Sequence, residues 1–247
     1  MIRYLKHVFL IALAVVALPC HAGTHGVVDS GSSLARRGIS REVSATAATP
    51  LQSALPLLQD GDLIFITTHG PIFRHVSETT GSWETHVGIL FHDERKGWLV
   101  AESILPVSKF TALEKFVSRS THHRFLVSRL RSGLKEEDRA GLYHSAALRM
   151  GKFYTLGFNY DSPRLYCSKF VHDVYAEALG CEVGQLETFR EIIQANPEAP
   201  LKFWKLWFLG HIPWDRRCVT TTSVLRSENF RTVFDSEQPR SNMSVPR

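Results

Sequence analysis

A helix that begins at a cysteine is the feature of this sequence that most restricts its fold. Residues 165–175 carry the pattern, with Ser162 and Pro163 as a start signal before them and Gly180 as a stop signal after them. Apolar side chains recur at spacings of three and four, at Cys167, Phe170, Val171, Val174 and Ala178. This spacing places them on one face, so the helix has to pack against a core with Cys167 on the buried side of its first turn.

The first turn of a helix favours a cysteine thiolate over the thiol. Free backbone N–H groups and the positive end of the helix dipole lie there, and both lower a thiol pKa. Cys167 is therefore a candidate nucleophile, provided that a base lies nearby. The other interpretation is that Cys167 only packs, because free cysteines are among the most buried residues and are usually inert when buried.

An export signal is predicted at the N-terminus. Two basic residues precede an apolar run over residues 8–18, and Ala22 supplies the small residue that signal peptidase requires. This order predicts a signal peptide over residues 1–22, so we expect an exported protein of bacterial type, periplasmic or secreted. A proline directly before Cys20 argues against a lipoprotein anchor, and no apolar run is long enough to span a bilayer.

The remaining chain is predicted to hold one folded domain. Residues 23–57 are rich in Gly, Ser, Ala and Thr, and predict a flexible leader with a short helix at its end. Residues 58–235 are predicted to form the domain, and residues 236–247 a disordered tail. An apolar content of 44% is ample for the core of such a domain.

Charge and cysteine content restrict the partners and the redox chemistry. The formal charge is +5, which falls to +3 once Arg3 and Lys6 leave with the signal peptide. This mild excess suits anionic cell-wall polymers or lipid head groups, and without a dense basic run no nucleic-acid partner is expected.

A disulfide between Cys181 and Cys218 would leave Cys167 free, but three free thiols are also consistent with the sequence.

Three short apolar runs predict strands. Leu63–Thr67 is a compact run of β-branched and aromatic residues, and Thr85–Phe91 and Trp98–Ser103 are predicted to form an antiparallel hairpin. Residues 69–84, between the first two strands, are predicted as a loop. The other expected elements are a loop with a short helix at 105–116, strands at 123–129 and 231–234, and helices at 135–150 and 186–194.

The length of the hairpin loop decides whether a histidine meets a carboxylate. With a five-residue loop over residues 92–96, His86 lies directly across from Glu102 on the same face of the sheet. A four-residue loop instead pairs His86 with Ser103 and turns Glu102 to the other face.

Three residues supply the groups that a cysteine hydrolase needs, namely a thiolate, an imidazole that holds the proton and a polar group that orients the imidazole. They are Cys167, His86 and Glu102. His172 is nearer in sequence but lies about 140° around the helix from Cys167, which makes it a poor base. Taken singly, His86 also fits an ordinary strand histidine, and Glu102 an exposed charge near a strand end.

Several motifs follow one another in a fairly specific order. They are Gly61-Asp62-Leu63-Ile64-Phe65, Thr85-His86-Val87-Gly88-Ile89, Gly151-Lys152-x-Tyr154, Leu165-Tyr166-Cys167-Ser168-x-Phe170-Val171 and Ile212-Pro213-Trp214. Together they resemble the permuted papain-like cysteine hydrolases of the NlpC superfamily, in the YiiX/YaeF-like branch. The resemblance covers residues 58–234.

The resemblance implies an α+β fold of the circularly permuted papain-like (NlpC) type. An antiparallel sheet would pack against helices, including the one that starts at the nucleophilic cysteine, and the histidine would precede the cysteine in the chain. The family's nucleophile, base and orienting residue correspond to Cys167, His86 and Glu102. Substrate-pocket residues are expected at Tyr166, Ser168, Asp62 and Tyr154.

Two departures from the family pattern bear on the substrate rather than on the chemistry. Lys169 follows the Cys-Ser pair, where the family often has an acidic residue. Phe153 and Thr155 flank the motif tyrosine, where the family has a proline and an aspartate.

Three functions fit these residues. The first is a thiol amidase or peptidase-type hydrolase that cleaves an amide or ester bond in a cell-wall peptide or an acylated amine. The second is a lipid acyltransferase similar to lecithin retinol acyltransferase, and the third a binding domain without turnover. An aromatic cluster late in the chain favours contact with a membrane surface, although such a cluster is also typical of a core. Its residues are Phe203, Trp204, Trp207 and Phe208.

No cofactor or metal site is expected from the sequence. The histidines at positions 69, 75, 122 and 123 lack the ligand-pair spacing of a known zinc motif.

Overall fold

The computed structural model describes residues 48–238. The predicted signal peptide, Cys20, most of the predicted leader and residues 239–247 of the predicted tail lie outside these residues. The strands are β1 Leu63–Thr68, β2 His86–Asp93, β3 Gly97–Glu102, β4 Lys109–Ala112, β5 Ser120–Leu130, β6 Leu186–Thr188, β7 Arg217–Val219 and β8 Phe230–Asp235. The α-helices are α1 Pro50–Ala54, α2 Pro71–Thr80, α3 Leu113–Val117, α4 Glu136–Leu148, α5 Cys167–Leu179, α6 Phe189–Ala195, α7 Leu201–Trp207 and α8 Thr221–Leu225.

An antiparallel sheet with the strand order β4-β3-β2-β1-β5-β8 forms the centre of the fold, and both of its faces are covered. Along β1, Leu63 and Phe65 pack with residues of α4 and α5, whereas Ile64 and Ile66 pack with residues of α1 and α3. Because successive side chains of a strand point to opposite faces, a strand covered on both faces needs apolar residues at every position. This explains the continuous apolar run that predicted β1.

The cysteine helix has the predicted ends. α5 begins at Cys167, and Gly180 caps it in the left-handed conformation at φ 61°. The predicted stripe is buried from Cys167 to Val174 and partly buried at Ala178, and side chains on most of the circumference of the first turns are also buried, including Ser168, Lys169 and His172. α5 contacts β2 and β3, which brings its first turn to the strands that carry His86 and Glu102.

Several predicted elements are confirmed and some are wrong. β1, β2, β3, β5, β8, α4 and α5 lie where the sequence predicts them. Residues 69–84 are not a loop throughout, because α2 occupies most of that segment. β4 was not predicted, and residues 186–194 form a short strand followed by a helix instead of one helix.

The predicted hairpin register is wrong by two residues. β2 and β3 are joined by a three-residue loop, with Asp93 opposite Gly97. Gly97, the residue directly after this loop, has φ 72°, in the left-handed region that glycine adopts without strain. The last pair of this register is Ile89 opposite Ala101, so the next residues along the two strands, Gly88 and Glu102, also lie opposite each other. His86 is two residues from Gly88 and therefore diagonal to Glu102. A shift of two residues keeps the face of every side chain, so His86 and Glu102 still share a face.

Two further features of the chain bear on its predicted boundaries and thiols. Residues 50–57, the end of the predicted leader, are helical, and Ala54 is fully buried against the sheet. Cys167, Cys181 and Cys218 are all free thiols, so the Cys181–Cys218 disulfide that the sequence left open is not formed in this structure. Within residues 48–238, no helix has the length and apolar character needed to cross a membrane.

Candidate active site

Glu102 is a fully buried carboxylate with hydrogen-bond donors on several sides. Its Oε2 lies 2.6 Å from His86 Nε2. Arg119 Nη2 donates to both oxygens, at 2.9 Å to Oε1 and 2.7 Å to Oε2, and the Thr111 hydroxyl donates to Oε1 at 2.5 Å. A buried carboxylate is stable only when it is paired and hydrogen-bonded, and these contacts meet that requirement.

His86 is the first residue of β2 and is 2% exposed, with Glu102 bonded to its ring and the Cys167 thiol within interaction distance. Because Nε2 of the ring contacts Glu102, the other ring nitrogen, Nδ1, is the one available to the Cys167 sulfur. Phe116 of α3 stacks on the ring at 5.4 Å between centroids. These contacts hold the imidazole in one orientation between an acid and a thiol, which is the arrangement that activates a nucleophile.

Cys167 lies at the start of α5 and is 4% exposed. Its Sγ is 3.9 Å from the Thr85 carbonyl oxygen. Burial alone raises the pKa of the Cys167 thiol, but the hydrogen bond and charge of His86 and the backbone N–H groups of Val87 and Ser168 outweigh burial and lower it. The site therefore favours the thiolate.

The charges of His86 and Glu102 support that thiolate. Burial alone lowers the pKa of His86, but hydrogen bonds and charges from Cys167 and Glu102 raise it to about 9. Burial likewise raises the pKa of Glu102, but His86 and Arg119 lower it to about 2. The site therefore favours a row of thiolate, imidazolium, carboxylate and guanidinium, in which each buried charge has an opposite neighbour.

Arg119 and Thr111 were not found from the sequence. Arg119 lies between α3 and β5, and its guanidinium also sits over the Phe116 ring, 5.0 Å from the centroid. The sequence did indicate that such partners exist, because a glutamate inside an apolar strand requires a nearby cation or hydrogen-bond donors when it is buried. Which residue would supply them depends on the unpredicted strand β4 and on the turn after α3.

Tyr154 lies beside the nucleophile. The Tyr154 hydroxyl lies within interaction distance of both the side chain and the backbone N–H of Cys167. Burial and the nearby thiol raise the pKa of Tyr154 well above its usual value, so the hydroxyl stays protonated. The Cys167 backbone N–H and the Tyr154 hydroxyl are thus two donors within reach of an oxyanion formed by attack of Sγ.

The other predicted pocket residues divide into two groups. The Tyr166 hydroxyl accepts from the Val219 N–H at 3.0 Å, and the Ser168 hydroxyl donates to the Val219 carbonyl at 2.7 Å. Both therefore fix the start of α5 against β7. Asp62 is not brought to the site: it precedes β1 at the end away from His86, and its carboxylate binds Arg129 at 2.7 Å.

His172 and Lys169, both on α5, have partners outside the site. His172 Nδ1 lies 3.0 Å from the Val183 carbonyl oxygen, so the prediction that it is not the base agrees with its position. Lys169 Nζ donates to the carbonyl oxygens of Tyr160 at 2.7 Å and Ser162 at 2.5 Å. The lysine that departs from the family pattern thus anchors the preceding loop to the helix.

Two cavities meet at the catalytic residues. One is narrow and almost wholly apolar, and Cys167 lies on its wall together with Phe73, Val76, Phe158, Phe189, Ile192 and Trp204. The other is wider and has more polar walls, which include His86, Arg119, Tyr154, Thr68 and His69. A substrate at Cys167 therefore meets an apolar surface on one side and the base on the other.

Within residues 48–238, no three His, Cys, Asp or Glu side chains are grouped in a way that could hold a metal ion. Two of the histidines noted in the sequence have other contacts. His69 Nδ1 lies 3.2 Å from the Arg119 carbonyl oxygen, and His75 Nδ1 lies 2.6 Å from Glu78 Oε2.

Gly88 gives a test of the packing behind His86. A Cβ on Gly88 would overlap Val100 Cγ1 and lie 2.9 Å from the Ala101 carbonyl oxygen. We expect Gly88→Ala to lower the free energy of unfolding in urea by about 1–3 kcal/mol, as overpacking does. Gly141→Ala, inside α4, is the control: its Cβ would make ordinary contacts with Ala178 of α5, and we expect it to raise that free energy by about 0.5–1 kcal/mol. Equal stability of the two variants would contradict the packing described here.

Comparison with known proteins shows what the chain is similar to. A family model described as permuted papain-like amidase enzyme, YaeF/YiiX, C92 family, matches residues 57–234. The uncharacterized protein YiiX of Escherichia coli K12 is 29% identical over 175 residues, which cover 71% of this chain and 85% of that protein. A crystal structure described as metalloprotein yiiX from Escherichia coli O157:H7 is similar with a TM-score of 0.67 and 29% identity, and covers 73% of this chain and 98% of that one. The residues matched by the family model include every residue of the site.

Proposed function

This chain belongs to the permuted papain-like amidase family YaeF/YiiX, C92, and on that premise we propose that it is an exported cysteine hydrolase that cleaves an amide or ester bond through a thioester on Cys167. The observation that carries the proposal is the buried imidazole of His86 between the Cys167 thiol and the Glu102 carboxylate. Its export rests on the N-terminal sequence alone, and mass spectrometry of the mature protein should find Gly23 as its first residue.

In the first half of the proposed reaction, the Cys167 thiolate attacks the carbonyl carbon. The carbonyl oxygen takes the displaced electron pair and accepts hydrogen bonds from the Cys167 N–H and the Tyr154 hydroxyl. The His86 imidazolium then gives its proton to the leaving nitrogen or oxygen. The bond to the leaving group breaks, and the acyl group remains on sulfur.

In the second half, water replaces the leaving group. Neutral His86 accepts a proton from the water, whose oxygen attacks the thioester carbon. The carbon–sulfur bond breaks, the acid leaves, and the thiolate–imidazolium pair forms again. Glu102 holds the imidazole in one orientation and stabilises its charged form, while Arg119 keeps Glu102 ionised.

The apolar cavity favours a substrate with an apolar acyl group. Its walls are mostly aromatic and aliphatic, and Cys167 lies on one of them. Since each buried methylene stabilises binding by about 0.8 kcal/mol, the cavity should select long acyl chains over acetyl. A cell-wall peptide remains a candidate substrate through the wider, more polar cavity beside His86.

Chain-length dependence tests this substrate class. We expect kcat/KM for a series of N-acyl p-nitroanilides to rise about fourfold for each added methylene until the cavity is full. Val76→Trp, which fills part of the cavity, should remove the dependence, whereas Leu148→Trp on the exposed end of α4 should keep it. A wild-type kcat/KM that does not depend on acyl chain length would exclude substrates with apolar acyl groups. Absence of an acyl adduct on Cys167 in intact-mass spectra of quenched reactions would exclude the thioester.

Acyl transfer is the second candidate, and the same cavity favours it. A lipid alcohol or amine in place of water would accept the acyl group from Cys167 through the same proton transfers at His86. Adding such an acceptor to the assay separates the two functions. Formation of the acylated acceptor faster than free acid supports a transferase, and free acid alone supports a hydrolase. A domain that only binds would give neither product.

A further inference from the structure

The aromatic segment of α7 is divided between the core and the surface. Trp204 is 2% exposed, its Nε1 donates to the Thr79 hydroxyl at 2.6 Å, and it forms part of the wall of the apolar cavity. Phe203 and Phe208 are half-buried against it. Of the four aromatic residues predicted to contact a membrane, only Trp207, at 38%, is substantially exposed. The buried aromatic residues thus serve as core.

The surface of this segment nevertheless exposes apolar side chains. Leu206 is 77% exposed and Leu209 83%, and Leu201 and Trp207 lie beside them at 44% and 38%. We call these four residues the α7 apolar patch. Single exposed apolar residues are ordinary on a protein surface, but four of them are concentrated here within nine residues, and such a concentration of exposed apolar side chains marks interaction sites.

The turn that follows α7 holds one of these leucines in an unusual backbone conformation. Leu209 has φ 51°, in the left-handed region that residues other than glycine rarely adopt. The conformation directs the chain into Gly210, at φ 96°, and leaves the leucine side chain in solvent. A strained backbone that exposes an apolar side chain is uncommon unless another surface covers that side chain.

The charge of the segment indicates what covers the patch. Between Ala199 and Trp214 the chain contains Lys202, Lys205 and one histidine but no acidic residue. Both lysines are exposed, and neither makes a salt bridge within the part of the chain that the structure describes. Leucine and tryptophan next to unpaired lysines are typical of surfaces that lie in the head-group region of an anionic membrane.

We propose that α7 and the turn after it dock on a lipid bilayer that carries anionic head groups. The α7 apolar patch inserts between head groups, and Lys202 and Lys205 contact lipid phosphates. Trp204, on the inner face of the same helix, borders the cavity at Cys167. The bilayer surface would then lie about one helix diameter, ~10 Å, from that cavity. Docking does not depend on chemistry at Cys167, but its use in delivering acylated substrates rests on the proposed function.

Vesicle sedimentation tests the proposal. Mature protein with Cys167→Ala, which prevents turnover, is mixed with vesicles of phosphatidylcholine alone or with added phosphatidylglycerol. We expect binding to the anionic vesicles that weakens with salt. Leu206→Asp with Leu209→Asp should weaken it about tenfold or more through lost apolar burial. Lys202→Glu with Lys205→Glu should weaken it about tenfold or more on anionic vesicles through reversed charge.

Leu148→Asp is the matched control, because Leu148 is 59% exposed at the end of α4 and outside the patch. It should bind as the parent protein does, and unfolding midpoints should show that all variants are folded. Three results would overturn the proposal: no binding to anionic vesicles, equal loss in the control, or a dimer in solution that Leu206→Asp dissociates. Hydrolysis of a soluble anilide is measured separately, with the patch variants made in the protein that keeps Cys167. Loss of hydrolysis then tests the enzyme, and loss of vesicle binding tests the docking.

Discussion

Cys167→Ala is expected to lower kcat/KM for amide or ester hydrolysis by on the order of 10⁴-fold or more, because the variant has no atom that can carry the acyl group. The loss should appear in kcat, since removing the sulfur leaves both cavities open to substrate. Initial rates with a soluble acyl anilide measure this effect. The unfolding midpoint should change little, because the substitution removes one buried sulfur at the start of α5.

Cys181→Ser is the matched control for the nucleophile. Cys181 is partly exposed, its thiol contacts Asn229 and Glu182, and burial raises its pKa. We expect this variant to keep kcat/KM within about twofold of wild type, as remote surface changes usually do. Retained hydrolysis in Cys167→Ala, or equal losses in the two variants, would show that the chemistry lies elsewhere.

Glu102→Gln is expected to lower kcat by on the order of 10²–10⁴-fold, because a neutral amide no longer stabilises the imidazolium or fixes its tautomer. The charge of Glu102 helps to raise the pKa of His86 to about 9, so removing that charge lowers this pKa. The alkaline limb of the kcat/KM profile should therefore move from about pH 9 to lower pH. A profile from pH 5 to 10 measures the shift.

The same substitution should also destabilise the protein. It leaves Arg119, which is 26% exposed, without its carboxylate, and we expect a loss of about 3 kcal/mol in the free energy of unfolding. Glu102 has its pKa lowered to about 2 from a usual 4.5, so its charge stabilises the fold above pH 4.5 and loses this effect as the pH falls toward 2. The stabilities of wild type and Glu102→Gln should therefore converge at acidic pH.

Glu177→Gln is the control carboxylate variant. Glu177 is 51% exposed and pairs with Arg149 on the surface, so its loss should change stability by less than about 1 kcal/mol and leave the pH profile in place. An unchanged alkaline limb in Glu102→Gln would mean that His86 does not depend on that carboxylate.

Much of the site could be predicted because local sequence encodes it. The apolar stripe fixed Cys167 at a buried helix start, and the family match confirms the predicted permuted papain-like α+β fold. The predicted His86–Glu102 contact exists although the predicted loop length was wrong. The loop has three residues and is followed by Gly97 in the left-handed conformation, and a register error of two residues keeps both side chains on one face.

The rest depends on contacts between distant segments. Arg119 and Thr111 reach Glu102 from a turn and an edge strand that carry no strong local pattern. α2 was missed because much of it is polar, and its apolar residues Ile72 and Val76 pack into the aromatic cluster around Trp204, which is distant in the sequence. Asp62 was assigned to the pocket from a motif, but its ion pair with Arg129 at the other end of β1 gives it a structural role.

The rate of alkylation of each thiol by iodoacetamide as a function of pH, resolved by peptide mass spectrometry, tests the Cys167–His86 pair without any substrate. Wild-type Cys167 should react at lower pH than the other two thiols, because its pKa is lowered, whereas burial raises the pKa of Cys181 and raises that of Cys218 to about 12. In His86→Ala the reactivity of Cys167 should appear only at higher pH. A wild-type Cys167 whose reactivity rises with pH in parallel with Cys181, and does not respond to His86→Ala, would contradict the account.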